Sequence, residues 1–412
     1  MLIVEAIDAG HGDAILVRYP GSAGYERILL IDGGPPSART ENGEVFRPYA
    51  DRVVPRLMEI KAERDKKPKS MDIHRGQPTL VLDLVVCTHI DDDHIGGIER
   101  LYGCLAGATT CAPGGKDVEA RRLWFNSFSV LLGDAVDIAA ATMGAAAEAI
   151  AAGVRNGENL TDYVLSITGA SINNGAPGLL VAAGQQPKGF GPAKVTILAP
   201  GKKALTELRE KWLDWVQEKG AVAAGEALTA GLDTVRFRAD TSVANLSSIV
   251  MLIEAFGTRV LLTGDQRGDH VLEGLESAGL VADGGVFPVD VMKVPHHGAI
   301  GNNQRAFVER VPADTYIFSA NGKDQNPDTP VLEMYAAQAK TGRRFTMAFT
   351  NRDMVYAANR KGEMPTLKGK TVGTLAEAIV VLREDPDVEK NVTFAFREPD
   401  QHSLVVPLAP KS

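Results

Sequence analysis

The segment Thr88-His89-Ile90-Asp91-Asp92-Asp93-His94-Ile95-Gly96-Gly97 restricts this chain more than any other feature. Five side chains able to bind a metal, His89, Asp91, Asp92, Asp93 and His94, fall within six residues. They follow Val81–Cys87, an almost continuous apolar run of the kind that is covered on both faces of a sheet. Imidazole and carboxylate are ligands of borderline and hard divalent ions. A loop at a strand end can turn residues spaced by two, and then adjacent ones, toward a single point. Gly96 and Gly97 allow close backbone packing where a helix begins over Ile95–Leu105. An acidic helix N-terminus would account for the aspartates alone. It leaves the two flanking histidines and the glycine pair unexplained.

The rest of the chain supplies two groups of strands with helices between them. Leu2–Ile7, Ala14–Tyr19 and Arg27–Asp32 read as strands, and Tyr49–Asp65 as an amphipathic helix. Residues 106–230 are rich in Ala and Gly, with helices expected at Val118–Leu132, Ala135–Val154 and Leu205–Lys219 and a strand at Lys194–Ala199. This stretch exceeds any ordinary loop and reads as a mostly helical insertion with structure of its own. Trp124, Phe125 and Phe128 lie at helical spacing within it and read as core. Strands return at Ser247–Ala255 and Thr258–Thr263, a hairpin across Phe256-Gly257, and then at Val289–Val294 and Thr315–Ser319. The last part holds a helix, Leu375–Arg383, and two strands, Val392–Arg397 and Ser403–Leu408. The expected class is α/β, a four-layer αββα sandwich of two sheets under helices on both outer faces. The expected organisation is a domain over residues 1–360 interrupted by the 106–230 insertion, with an α+β extension over 361–412.

Further motifs share an order with the first. They are Gly10-His11-Gly12-Asp13-Ala14-Ile15-Leu16, Leu30-Ile31-Asp32-Gly33-Gly34, Asn245-Leu246-Ser247-Ser248-Ile249-Val250, Leu261-Leu262-Thr263-Gly264-Asp265, and Asp290-Val291-Met292-Lys293-Val294-Pro295-His296-His297-Gly298. Together with His89-Ile90-Asp91-Asp92-Asp93-His94 they resemble the metallo-β-lactamase superfamily. The resemblance covers the chain to about residue 350 apart from the insertion. Asp91 stands where that superfamily usually has a second histidine. The variant followed by Ile-Gly-Gly resembles the hydrolase domain of ComEC-like competence proteins. His11 replaces a usual glutamine, and Asn326-Pro327 stands near the place of a late His-Pro element.

The resemblance implies a hydrolase using a metal-bridging hydroxide, with two divalent ions, Zn²⁺ or Mn²⁺. His89 and Asp91 would hold one ion, and Asp93, His94 and either His296 or His297 the other, with Asp265 bridging. Asp93 would also orient the hydroxide. Asp32, Asp13, Asn245 and Ser247 would support the ligands from behind. Lys293 reads either as a holder of substrate phosphate or as an exposed strand lysine. Taken alone, Gly264-Asp265 is a helix cap and Asp32-Gly33-Gly34 a turn. The chain has no histidine from residue 95 to 269, so one usual ligand is missing and the first position is rich in oxygen. That chemistry leans toward Mn²⁺ or Mg²⁺.

Composition narrows the substrate. Hydrophobic residues make up 44% and charged ones 23%, typical of a globular chain, and the formal net charge is -8. This balance argues against wide non-specific gripping of a duplex, which needs Lys and Arg for phosphate neutralisation. It leaves room for a local basic groove or a small nucleotide. Phosphodiester hydrolysis on nucleic acid or a nucleotide is the first expectation. The alternatives are hydrolysis of another ester, amide or lactone, or a degenerate metal-binding scaffold. Cys87, Cys104 and Cys111 form no CxxC pair, and so odd and sparse a set reads as no disulfide framework and points to a cytoplasmic compartment, with Cys87 a buried small hydrophobe. The first residues do not read as a signal peptide, and no membrane span is expected.

Overall fold

The computed structural model describes the chain apart from residues 22–23, 41–42, 69–71, 127–146, 174–180, 202–242, 359–361 and 412. Two large sheets dominate it. The first has seven strands in the order Ser171–Ile172, Arg122–Phe125, Leu84–Cys87, Glu26–Ile31, Ile15–Pro20, Leu2–Ile7, Ser403–Leu408. The second has eight, in the order Lys188–Phe190, Ala193–Ala199, Val250–Ala255, Thr258–Leu262, Val289–Lys293, Ala313–Phe318, Phe345–Phe349, Val392–Phe396. Antiparallel pairs lie at one side of each sheet and parallel pairs at the other.

The strands alternate between two cores because successive side chains leave opposite faces. Leu84 and Val86 enter the layer between the sheets, where Met251 and Ile253 meet them. Val85 and Cys87 point outward beneath the helices of the first sheet, and Val250 and Leu252 beneath those of the second. Both faces of these strands are buried, which is why their sequences read as apolar runs rather than as alternating ones. Helices Val54–Lys66 and Asp92–Leu105 cover the first sheet through Leu57, Ile60, Ile98 and Leu101. Helices Gly268–Ser277, Thr329–Ala336 and Leu375–Arg383 cover the second through Val271, Leu275, Leu332, Tyr335 and Leu382. The result is the expected αββα sandwich.

Three expectations change. Residues Val118–Ala120 and Arg122–Phe125 form strands rather than the start of a helix over Val118–Leu132. Arg122–Phe125 pairs in parallel with Leu84–Cys87, and Trp124 and Phe125 are buried as core. Apolar residues that suit a helix face here serve two sides of a sheet strand. The 106–230 stretch is therefore partly core architecture. Of its other expected helices, the later part of Ala135–Val154 falls within a helix over Ala147–Ser166, while Leu205–Lys219 and Phe128 lie outside the described residues. Residues 361–412 do not stand apart either. Val392–Phe396 extends the second sheet beside Phe345–Phe349, and Ser403–Leu408 closes the first beside Leu2–Ile7.

The cysteine reading also changes. Cys104 and Cys111 form a disulfide across the turn after helix Asp92–Leu105, with Cα atoms 4.8 Å apart, and Cys87 is free and buried. Backbone bonds from Ala108 and Thr109 to the Gly103 carbonyl fold that turn back. This tertiary proximity is not visible in the spacing. Among the described residues, no helix is long and apolar enough to cross a membrane.

Candidate metal centre

The site forms where strand ends from both sheets meet. Asp32 follows Glu26–Ile31, His89 follows Leu84–Cys87, Asp265 follows Thr258–Leu262, and His296 and His297 follow Val289–Lys293. Backbone bonds lock these ends together: Asp32 N–H to Val86 O at 2.8 Å, Ile249 N–H to Thr88 O at 3.0 Å, and His296 N–H to Gly264 O at 3.1 Å. A close approach of the turn at Gly33 sets the helix that carries Asp93 and His94. A Cβ on Gly97 would lie 2.0 Å from the Gly33 carbonyl oxygen, so only glycine permits this approach.

Four histidine Nε2 atoms converge on one carboxylate oxygen. Asp265 Oδ2 lies 3.3 Å from His94, 3.5 Å from His296, 3.6 Å from His297 and 3.9 Å from His89. Asp91 Oδ2 is 3.6 Å from His89 Nε2, and Asp93 Oδ2 is 3.4 Å from His297 Nε2. All seven residues expected to bind metal therefore meet in one cluster. Asp92 faces away and accepts a bond from Asn156 Nδ2 at 2.9 Å.

The other ring nitrogens explain why the Nε2 atoms face inward. His94 Nδ1–H donates to Asp32 Oδ2 at 2.8 Å. The Thr88 hydroxyl donates to the same oxygen at 2.7 Å, and its N–H to Asp32 Oδ1 at 2.7 Å. With its proton committed to Asp32, Thr88 Oγ1 accepts from His89 Nδ1–H at 3.0 Å. His297 Nδ1–H donates to the Ser319 carbonyl at 2.8 Å. Each buried ring thus spends its proton on the side away from the centre, the usual support for a metal-binding histidine. The Nε2 atoms of His89, His94 and His297 have no hydrogen-bond partner among the described residues. Buried polar atoms seldom lack partners, and three aimed at one carboxylate fit a cation between them.

Electrostatics agree. Burial alone would raise the pKa of Asp265, yet His94, His296, His297 and Lys293 together hold it well below the carboxylate range. Burial would lower His94 and His297, but Asp265 foremost, with Asp32 and Asp93 at His94 and Asp13 at His297, raises both, His297 to about 10. Without a cation the centre keeps its carboxylates charged and compensates them with protons on the rings. A divalent ion could replace those protons.

Lys293 belongs to this balance rather than to the surface. Its side chain is 1% exposed, and Nζ donates to Asp13 Oδ2 at 2.5 Å, Gly264 O at 2.9 Å and Asp265 Oδ1 at 3.4 Å. All three ammonium donors are occupied, so it serves as a fixed countercharge and has no donor left for a substrate phosphate. Asp13 also faces His297 Nδ1 at 3.5 Å, behind the ligands. Asn245 Nδ2 lies 3.3 Å from His296 Nδ1, and Ser247 is buried nearby in sequence. Which of the adjacent histidines points inward was open from the sequence. Both do, His297 buried and His296 about a quarter exposed. Consecutive left-handed conformations, φ 45° and 53°, allow two neighbours to face one point.

Four supporting residues were not singled out from sequence. Thr88 relays Asp32 to His89. Ser248 Oγ lies 3.2 Å from His89 Nδ1 and accepts the Asp265 N–H at 3.2 Å. Asn302 contacts His296 Nδ1 at 3.0 Å and donates to the Asp265 carbonyl at 2.8 Å. Ser319 anchors His297. Their residue types are common in turns, and only the fold brings them to the rings.

No family model matches the chain. Among curated proteins, ComE operon protein 3 of Bacillus subtilis is 34% identical over 100 residues, which is 23% of this chain and 12% of that protein. The match thus spans a small part of that relative. Among solved structures, the metallo-beta-lactamase fold protein YhfI from Bacillus subtilis aligns over 98% of this chain and 99% of its own, at 9% identity and a TM-score of 0.35. A mutant of CmlA beta-hydroxylase aligns over 99% of this chain and 54% of its own, at 11% identity and a TM-score of 0.37. A protein from Enterococcus faecalis V583 aligns over 96% and 88%, at 11% identity and a TM-score of 0.27. The architecture rests instead on the pair of stacked sheets with the motifs at their strand ends in the expected order. The chain folds as a four-layer αββα sandwich whose strand-end motifs resemble those of the metallo-β-lactamase superfamily, and over one segment it is similar to ComE operon protein 3.

Proposed function

We propose that this chain is a metal-dependent phosphodiesterase whose substrate is a nucleic acid or nucleotide. The observation that carries the metal requirement is the set of three buried, unpartnered Nε2 atoms aimed at Asp265. Asp93, His94, His297 and Asp265 would hold one ion, and His89, Asp91 and Asp265 the other, with His296 beside them. Zn²⁺ or Mn²⁺ suits this mixed nitrogen and oxygen set. Paired divalent ions acidify water and stabilise both the attacking and the leaving oxygen in phosphoryl chemistry.

The protein's own groups do the rest. Asp93 retains partial exposure at the rim, with its side chain 26% accessible, so it can accept a hydrogen bond from attacking water and orient it. Attack forms one P–O bond and breaks the other. The water proton passes to a carboxylate at the rim, and the departing alkoxide takes a proton from solvent. Asp32, Thr88 and Ser319 keep the rings from rotating during this exchange. Lys293 and Asp13 hold the charge of the cage steady beneath it. The ComEC-like motif pattern supports a phosphodiester over other esters.

The test is hydrolysis of bis(p-nitrophenyl) phosphate by the native chain and Asp265→Ala, each with added Mn²⁺ and with bound metal measured. Asp265 faces the Nε2 atom of all four histidines of the centre, so the variant is expected to lose metal and at least about 100-fold in rate. A native chain that binds metal yet leaves the diester intact overturns the reading.

A further inference from the structure

A cleft of about 460 Å³ opens beside the metal centre, and its lining differs from the rest of this acidic chain. Arg39 and Lys323 line it, and no acidic side chain among the described residues does. Neither cation forms an ion pair among the described residues; Arg39 donates only to the Gly43 carbonyl, at 2.8 Å. Val45, Met354 and Val355 supply an apolar wall. Val45 is 63% exposed and Val355 58%, so two of the most exposed apolar side chains among the described residues flank the same opening. Exposed apolar surface beside unpaired cations is the chemistry of a site for an anion carried on an apolar body.

Two short segments run from the metal centre to this cleft. A Cβ on Gly12 would lie 2.0 Å from the Asp93 carbonyl oxygen, and one on Gly10 would lie 2.5 Å from Ala38 Cβ in the cleft lining. His11, between them, lines the cleft. Ser319 holds His297 with its carbonyl and bonds the Gly12 carbonyl with its hydroxyl at 2.8 Å, and Asn321 two residues later lines the cleft. Consecutive Cα atoms are 3.8 Å apart, so two residues put the cleft wall within about 8 Å of Gly12 and Ser319, the residues that touch Asp93 and His297. The volume suits one small ligand unit and is far too small for a duplex.

We propose that this cleft receives the terminal nucleotide of the substrate, with Arg39 and Lys323 on its terminal phosphate and Val45, Met354 and Val355 against its base. The enzyme then prefers short or single-stranded substrates ending in a phosphate monoester. This inference rests on the phosphodiesterase reading and names the substrate class of the same site. Arg presents a planar pair of donors and Lys a point charge, which together grip a phosphate of variable orientation.

The experiment compares 5′-phosphorylated, 3′-phosphorylated and unphosphorylated thymidine dinucleotides on the native chain, Lys323→Ala and Arg39→Ala. Bis(p-nitrophenyl) phosphate serves as the reference substrate. A phosphate at one end is expected to lower KM about tenfold, and each substitution to remove most of that advantage while changing KM for the reference substrate far less. Which end shows the advantage identifies the phosphate. Binding of thymidine 5′-monophosphate and 3′-monophosphate to the metal-loaded chain is measured alongside. Equal KM values for phosphorylated and unphosphorylated dinucleotides, or monophosphate binding unchanged by both substitutions, overturns the proposal even if the reference substrate is cleaved. Failure with the reference substrate overturns the phosphodiesterase reading instead, and monophosphate binding that falls in both variants then still assigns the cleft.

Discussion

Replacing Asp32 with asparagine separates the geometry of the centre from its proton arrangement. In the native chain Asp32 accepts three hydrogen bonds, from Thr88 N–H and Oγ1–H at 2.7 Å each and from His94 Nδ1–H at 2.8 Å. Asparagine keeps the volume and one carbonyl oxygen, which continues to accept from Thr88 N–H. Its amide nitrogen now faces the other two groups. The Thr88 hydroxyl can rotate and accept, but His94 Nδ1–H meets another donor. When the ring carries the single proton that metal binding requires, it is relieved if that proton moves to Nε2, the atom 3.3 Å from Asp265 Oδ2. A proton there occupies the lone pair that a cation needs. Loss of one hydrogen bond to a charged group costs about 1.5–3 kcal/mol. At 1.4 kcal/mol per decade this is about 10–100-fold in metal affinity, the range found when such supporting groups are removed. The assay is competition for Zn²⁺ and Mn²⁺ against a chromophoric chelator, with thermal unfolding in parallel to show that the variant folds. Asp32→Ala is the companion; it strands all three donors and is expected to destabilise the apo chain by several kcal/mol, about 1–3 for each. A folded Asp32→Asn with native metal affinity refutes the tautomer argument.

Three further outcomes follow from the same structure. His94 and His297 are held protonated by the surrounding carboxylates, so metal uptake should expel protons and weaken as pH falls; calorimetry in buffers of different ionisation enthalpy reads this, and a buffer-independent heat contradicts it. Glu5 is fully buried between Arg18 and Arg56, each at 2.7 Å, and Glu5→Gln should cost about 1–3 kcal/mol near neutral pH by leaving these guanidiniums only their more exposed partners Glu26, Glu59 and Glu63. Burial opposes ionisation of Glu5, but Arg56 and Arg18 overcome it and lower its pKa, so its contribution is present above the unfolded carboxylate pKa and fades as pH falls through the folded value; denaturant melts of both chains should therefore converge in acid. Gly97→Ala would place a methyl carbon 2.0 Å from the Gly33 carbonyl oxygen and should lower stability by about 3 kcal/mol or more, and a melting temperature within about 2 °C of native would show that the helix and the Gly33 turn can part without cost.

The local sequence already determined the strand before His89, the helix after it and the metal-binding character of the loop between. Those features depend on residue type and short spacing: a doubly buried strand is apolar throughout, and ligands must be carboxylates or imidazoles. The resemblance to a family, not residue type or spacing, located Asp32, Asp265 and the His296-His297 pair as separate strand-end motifs. It could not tell one histidine from the other, because the choice depends on two left-handed backbone conformations. It also allowed Lys293 an exposed reading, since nothing local shows that the strand end lies beneath Asp13 and Asp265. Thr88, Ser248, Asn302 and Ser319 gained their roles only when two sheets stacked and brought hydroxyls, an amide and a carbonyl to the backs of the rings. The segment Val118–Phe125 became strand rather than helix for a similar reason. Its apolar residues fit either period locally, and the unpaired edge beside Leu84–Cys87 decided between them by offering backbone hydrogen bonds. The cleft beside the centre is likewise tertiary: Arg39 and Lys323 are far apart in the chain, and neither carries a local signal of an anion site.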